Sequence, residues 1–275
     1  MVPFRKMQGL GNDFAVFDAR IQAIDMTSEL ARRIADRHFG IGCDTVVMLL
    51  PGSASADVYL RFFNADGSEV EACGNATRCV GRLLMDERGL ARVRLESKGG
   101  SLLCHDAGKG LVMVDMGAPR LKWDEIPLAE HKDTTQFQFP LDNRTITASA
   151  ANMGNPHCVL FVGDAERAPV AHIGPMIETH PMFPARVNVE FAQIIDKGRI
   201  RMRVWERGVG ITLACGTGAC ATAVAAIRKK LTDRKVEVLL DGGPLTIEWR
   251  EEDGHVLMTG PGITSFTGTV DLNKL

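Results

Sequence analysis

No run of about 18 uninterrupted apolar residues occurs in this sequence, so no helical membrane span is expected. Its first residues, "MVPFRKMQGLGNDF", lack the apolar stretch of a secretory signal. The default expectation is therefore a cytoplasmic protein with no membrane partner. Charge of one sign is missing too: the formal net charge is -2 and the basic residues form no long block, which sets nucleic acid aside as a partner. Paired cysteines are absent. The count is odd, seven, and no two are spaced Cys-x-x-Cys, which excludes a zinc ribbon and a disulfide framework and leaves reduced thiols. With 45% apolar and 24% charged residues, the composition is that of a globular protein. The chain is long enough for two domains.

What is present is a sequence that repeats itself across about half its length. "EACGNATRC" at 71–79 matches "LACGTGAC" at 213–220, and "GLGNDFAVF" at 9–17 matches "MGNPHCVLF" at 153–161. Cys73 pairs with Cys215, Asn12 with Asn155, and Thr45 of "CDTVV" with Asn188 of "VNVEF". Nine residues before each cysteine a polar residue, Asn64 or Glu206, closes an alternating strand-like run, "VYLRFF" or "IRMRVW". Four collinear matches imply two similar domains: residues 1–119, and a second from 120, with "GAPRLKWDEIP" at 117–127 as the crossing segment.

Each half reads as mainly antiparallel strands with few helices. "RVRLE", "LVMVD", "KVEVLL", "LTIEW" and "HVLMT" are strand candidates. One helix is predicted from Thr27 or Ser28 to Gly40, with Leu30 and Ile34 inside. Another begins near Asn75, with Ala76, Cys79, Val80, Leu83 and Leu84 on one face and Gly89 as its stop. A third follows Gly218 and is small or apolar on every side, so it is expected to be fully buried.

Cys73 and Cys215 then each stand at the mouth of a helix, where unpaired N–H groups and the macrodipole favour negative charge. This predicts lowered thiol pKa values and thiolate near neutral pH. Gly74 and Gly216 allow close approach of backbone donors, and Asn75 and Thr217 add side-chain donors or caps. The same donors suit a substrate carboxylate. Two thiols flanking one carbon are what stereochemical inversion needs, one removing a proton and the other returning one. The remaining cysteines, Cys43, Cys79, Cys104, Cys158 and Cys220, read as small buried hydrophobes.

Taken together, "GLGNDF", "FNADGSEVEACGNATRC", "NMGNPH", "VNVEF", "ERGVGITLACGTGACA" and "DGGPLTIEW" resemble the diaminopimelate epimerase family along the whole chain. The resemblance implies an α/β fold of two pseudo-symmetric domains. Each is a strand-rich, mainly antiparallel barrel around a central helix, with residues 120–260 as the second and 261–275 returning to the first. It implies interconversion of LL- and meso-diaminopimelate in lysine and peptidoglycan synthesis, with neither pyridoxal phosphate nor metal, at a cleft between the domains. Cys73 and Cys215 become the acid–base pair, and Gly74, Asn75, Gly216 and Thr217 receive the carboxylate. Asn12, Asn64, Asn155, Asn188, Glu206 and Arg207 hold the substrate, and His157 and Glu206 tune the thiols. Thr45 stands where many relatives carry glutamine, so any contact there runs through a shorter side chain, by way of a water. The implied partner is the small-molecule substrate, with a homodimer left open. Two other readings compete: a racemase or epimerase of proline, hydroxyproline or histidine, and a thiol-based redox sensor or amino-acid-binding protein. The adjacent charges of Glu206 and Arg207 favour a substrate charged at both ends.

Overall fold

The computed structural model describes residues 1–275, and the chain falls into two compact units, Met1–Val114 with Thr259–Leu275, and Asp115–Met258. In chain order the first unit contains β1 (Val2–Gly9), β2 (Asn12–Asp18), α1 (Ser28–Ala35), β3 (Thr45–Pro51), β4 (Val58–Asn64) and β5 (Glu69–Val70). It continues with α2 (Gly74–Arg88), β6 (Arg92–Ser97), β7 (Gly100–Gly108) and β8 (Leu111–Asp115). The second unit follows with β9 (Phe137–Leu141), β10 (Arg144–Asn152), β11 (Pro156–Phe161), α3 (Val170–Glu178), β12 (Asn188–Asp196) and β13 (Arg199–Glu206). Then come β14 (Gly210–Ile211), α4 (Gly216–Arg228), β15 (Lys235–Leu240) and β16 (Gly243–Trp249); β17 (Val256–Pro261) passes into the first unit after Met258, and β18 (Ile263–Val270) belongs to the first unit.

The internal repeat is visible strand by strand. In the first unit β1 and β2 form a hairpin, β2 runs parallel to β3 across α1, β3 pairs antiparallel with β4, and β4 pairs parallel with β6 across α2. In the second unit β10 and β11, then β12 across α3, then β13, then β15 across α4, repeat those directions in the same order. The outer partner of the hairpin comes from different places. β9 pairs with β10 in the second unit, whereas β1 receives β18, from the end of the chain. Most pairings are antiparallel, as the alternating runs predict. Two parallel pairs in each unit are additional, and they exist because a helix carries the chain back over the sheet.

The central helices differ in character. α2 lies against β1, β2, β6, β7 and β18, while α4 lies against β10–β13, β15 and β16. Nearly every residue of α4 is buried, as its run of small side chains predicts. It begins at Gly216, three residues earlier than expected. α2 ends on Gly89 in the left-handed region (φ 64°), a backbone state that costs glycine little.

Two helices depart from the expectations. α1 is capped by the Thr27 hydroxyl, which accepts from Leu30 N at 3.1 Å, but it stops at Ala35 rather than Gly40. Asp36 ends it: its Oδ1 accepts from the backbone N of His38 at 2.7 Å and of Phe39 at 2.8 Å, bonds that compete with a further helical turn. α3 is not legible in the sequence, because "VAHIGPMIE" carries Gly174 and Pro175, both poor helix formers. Packing supplies what propensity lacks. Gly174 lets the helix sit directly on Trp205, to whose ring a Cβ would come within 2.6 Å, and Glu178 accepts from Trp205 Nε1 at 2.7 Å.

Each unit has its own core. Phe4, Phe17, Ile34, Val46, Met48 and Phe63 pack in the first, and Phe137, Phe139, Leu160, Ile177, Phe183 and Phe191 in the second. The sequence-predicted site residues fall at strand ends and helix starts around these cores.

Candidate active site

In the first unit the site residues gather where β2, β3 and β4 start or end. Leu10 and Gly11, both at positive φ (59° and 83°), form the two-residue turn between β1 and β2 and leave Asn12 at the head of β2. Thr45 opens β3 directly opposite Asn64, which closes β4. Thr45 is buried, and Asn64 donates to Ser68 Oγ at 3.2 Å. Cys73 is the extended N-cap of α2 (φ −146°, ψ 102°), and its carbonyl accepts from Thr77 N at 2.9 Å and Thr77 Oγ1 at 2.8 Å. The thiol-bearing residue thus sits at a helix mouth, as predicted.

Amide orientation in this half is set from behind. Arg78, fully buried, donates to Asn75 Oδ1 at 2.9 Å, which turns Asn75 Nδ2 towards Asn12 Oδ1 at 3.2 Å; Asn12 Nδ2 then donates to Asp44 Oδ2 at 2.8 Å. Next to it, Asp13 bonds Lys6 at 2.6 Å and Arg37 at 2.8 Å. Against the cost of burial these two cations hold its carboxyl at about 2. Arg78, Asp13 and Asp44 escaped the sequence reading. Arg78 had a signal, a charged residue three positions after Asn75 and directly before the apolar positions Cys79 and Val80.

In the second unit Asn155, His157 and Asn188 lie where the parallel strands β11 and β12 begin, His157 directly opposite Asn188. Asn188 is buried, donates to Pro156 O at 3.0 Å and accepts from Arg207 N at 2.9 Å. It therefore ties the turn after β13 to the start of β11. Arg207 is exposed, and its guanidinium reaches Ala185 O at 3.0 Å. Glu206 points the other way, accepting from Thr212 Oγ1 and from the Cys215 thiol. The side chains of the adjacent Glu206–Arg207 pair therefore diverge.

Cys215 is the extended N-cap of α4 (φ −120°, ψ 108°), 4% exposed, and its sulfur accepts from Gly218 N at 3.4 Å and lies 3.5 Å from Thr217 Oγ1. The expected lowering of its pKa does not hold. Burial first, then the carboxylates of Glu206 and Glu190, push the thiol well above its ordinary range, and the donors of Thr217 and Gly218 only partly offset them. Desolvation and like charge outweigh the helix end, so Cys215 rests as a thiol. Glu206 is itself raised by burial, a shift opposed by Thr212 and Cys215.

His157 is wholly buried between Asn155 Oδ1, 2.9 Å from Nε2, and Glu190 Oε1, 2.6 Å from Nδ1. The sequence reading missed Glu190. Its signal was a carboxylate between the apolar residues Val189 and Phe191 of "VNVEFA".

The chain is similar along most of its length to known proteins. The sequence model of a family described as "Diaminopimelate epimerase" matches residues 4–122 and 149–264. A diaminopimelate epimerase of Rhodospirillum centenum is 53% identical over 96% of this chain and 91% of its own length. One of Stutzerimonas stutzeri is 46% identical over 99% of this chain and 100% of its own. Among solved structures, a hydroxyproline epimerase from Agrobacterium vitis superposes with a TM-score of 0.70 at 16% identity, covering 97% of this chain and 91% of that one. A phenazine biosynthesis protein of Bacillus anthracis gives 0.68 at 16% identity, covering 98% of each. At such identities these two show a shared fold only.

Proposed function

We propose a two-thiol mechanism for this chain, which belongs to the diaminopimelate epimerase family and is an isomerase interconverting LL- and meso-diaminopimelate. Epimerisation neither gains nor loses a proton overall, so of two acid–base groups one starts charged and the other protonated. Cys215 rests as a thiol. It is accordingly the proton donor in the direction in which Cys73, starting as thiolate, takes the proton from the α-carbon. The C–H bond breaks towards Cys73, the electron pair stays on carbon beside the carboxylate, and the Cys215 proton adds to the opposite face. The reverse reaction exchanges the roles.

The backbone N–H groups of Gly74, Asn75, Gly216 and Thr217 receive the α-carboxylate, because they lie in the first turns of α2 and α4, where the helix end favours an anion. Asn12, Thr45, Asn64, Asn155, Asn188 and Arg207 orient the rest of the substrate. Glu206 accepts from the thiol and readies it for transfer, and His157 assists from β11. The observation that carries the reading is the pair of cysteines as N-caps of corresponding helices in a duplicated chain.

Purified Cys73→Ala and Cys215→Ala variants are expected to keep the wild-type circular dichroism and lose more than 99% of turnover on LL-diaminopimelate, the scale of a removed acid–base group at about 100-fold or more. Normal turnover by either variant ends the two-thiol reading. Assays on proline, hydroxyproline and histidine are expected to show no inversion.

A further inference from the structure

A carboxylate with no route to water is expensive, and Glu190 is one. It lies in β12 with 0% exposure, in a strand whose neighbours Val189 and Phe191 belong to the core. One oxygen, Oε1, meets His157 Nδ1 at 2.6 Å, while Oε2 is buried with no hydrogen-bond partner. A purely structural carboxylate would be satisfied at both oxygens, and an apolar residue of similar volume would stabilise the strand better. What distinguishes its position is what it approaches. A Cβ placed on Gly218 would stand 2.9 Å from Glu190 Oε1 and 3.3 Å from Cys215 Sγ. Glu190 therefore reaches the first turn of α4 at the spot where the reactive sulfur lies, within the distance of about 6 Å at which one charge alters another.

We propose that Glu190 is a positioning residue of the epimerase reaction, holding the ring of His157 by Nδ1 and standing as a second carboxylate behind the Cys215 thiol. The inference rests on the reading of Cys215 as an acid–base group. The groups facing that sulfur are Glu206 from β13, Glu190 from β12, and Thr217 and the Gly218 N–H from α4. His157, from β11, faces both carboxylates. Glu190 also raises Cys158, next to His157 on β11, which burial already holds as a thiol. Burial raises the Glu190 carboxyl, and the charge and hydrogen bond of His157 oppose that shift; beside the sulfur Glu190 adds to burial and Glu206 in opposing ionisation of Cys215, and the short contact to Nδ1 stops the imidazole from turning.

The test uses the full-length reduced enzyme and two readouts. One is kcat and KM on LL-diaminopimelate across pH. The other is the rate at which iodoacetamide alkylates Cys215 between pH 6 and pH 11, followed by peptide mass, which does not depend on turnover. Glu190→Gln is expected to lower kcat about 10- to 100-fold, the usual effect of removing a group that orients another, with KM within about twofold. Its midpoint of Cys215 alkylation is expected to fall by about one pH unit. Glu190→Asp keeps the charge but withdraws it from Nδ1, so kcat falls while the alkylation midpoint stays near wild type; it also carries the test if Glu190→Gln fails to fold. A pH–rate profile and alkylation midpoint equal to wild type in Glu190→Gln overturn the proposal, whatever the melting temperature. So does a Glu190→Asp variant of unaltered kcat. If Cys215→Ala turns over normally, the two-thiol reading falls instead, and the alkylation data still report on Glu190.

Discussion

Cys215 shows how two opposing local effects are decided by magnitude. A helix N-terminus contributes a fraction of a charge near the surface, whereas removing a thiol from water beside two carboxylates opposes ionisation more strongly. Burial wins, and the cysteine that reads as a thiolate is held as a thiol. Its direct partner is Glu206. Glu206→Gln keeps the bond from Thr212 but removes the charge, and the expected outcome is a loss in kcat of about 100-fold with retained fold; an unaffected kcat would detach Glu206 from proton transfer. In Cys43, Cys79 and Cys104, outside the site, burial is the largest effect. Cys43 is pushed up to about 11 and Cys79 and Cys104 to about 12, while in the unfolded chain they ionise near about 8.5. Above that pH the folded state holds protons the unfolded state has lost, so their contribution to stability is full below it and declines as pH rises towards 11–12. Urea midpoints are expected to fall from pH 9 upward, and less steeply in Cys104→Ala. Equal slopes in the two proteins would refute the assignment.

At the scale of single elements, propensity and packing part company at α1 and α3. The start of α1 is written in Thr27, a capping residue ahead of an acidic first turn. Its end is set by Asp36, whose side chain takes two backbone donors that a longer helix would have used. Periodicity alone had no means of weighing that competition. In α3 the deciding contact is between elements, Gly174 on Trp205 of β13. Gly174→Ala removes a conformational liability in an isolated helix, yet here it forces a methyl into the indole. Destabilisation of about 1–3 kcal/mol, as for other overpacked sites, is therefore the expected sign and size, measured by thermal melting. Stabilisation would show that α3 is held by propensity after all. α2 and α4 were legible because their boundaries coincide with local chemistry: extended cysteine caps at the start and, for α2, a left-handed glycine at the end.

For the molecule as a whole, the chain end is structural. β18 pairs along β1 from Val2↔Val270 to Gln8↔Ile263, Arg33 binds the carbonyl of Leu275, and Val270, Leu272 and Leu275 pack on the first core. Deleting residues 262–275 exposes one side of β1, and the expected result is a protein of much lower melting temperature, or an insoluble one. A truncated chain with wild-type stability would mean that the β1–β18 ladder is dispensable. The amino-acid sequence by itself determined the duplication, the strand-rich character, the two helix mouths and the thiols placed on them, since each depends on residues near one another in the chain. Tertiary structure alone decided that Cys215 is protonated, that Glu190 stands behind it and that Arg78 turns Asn75. Those outcomes depend on dielectric environment and on neighbours brought together from distant strands, and neither quantity is encoded in spacing or composition.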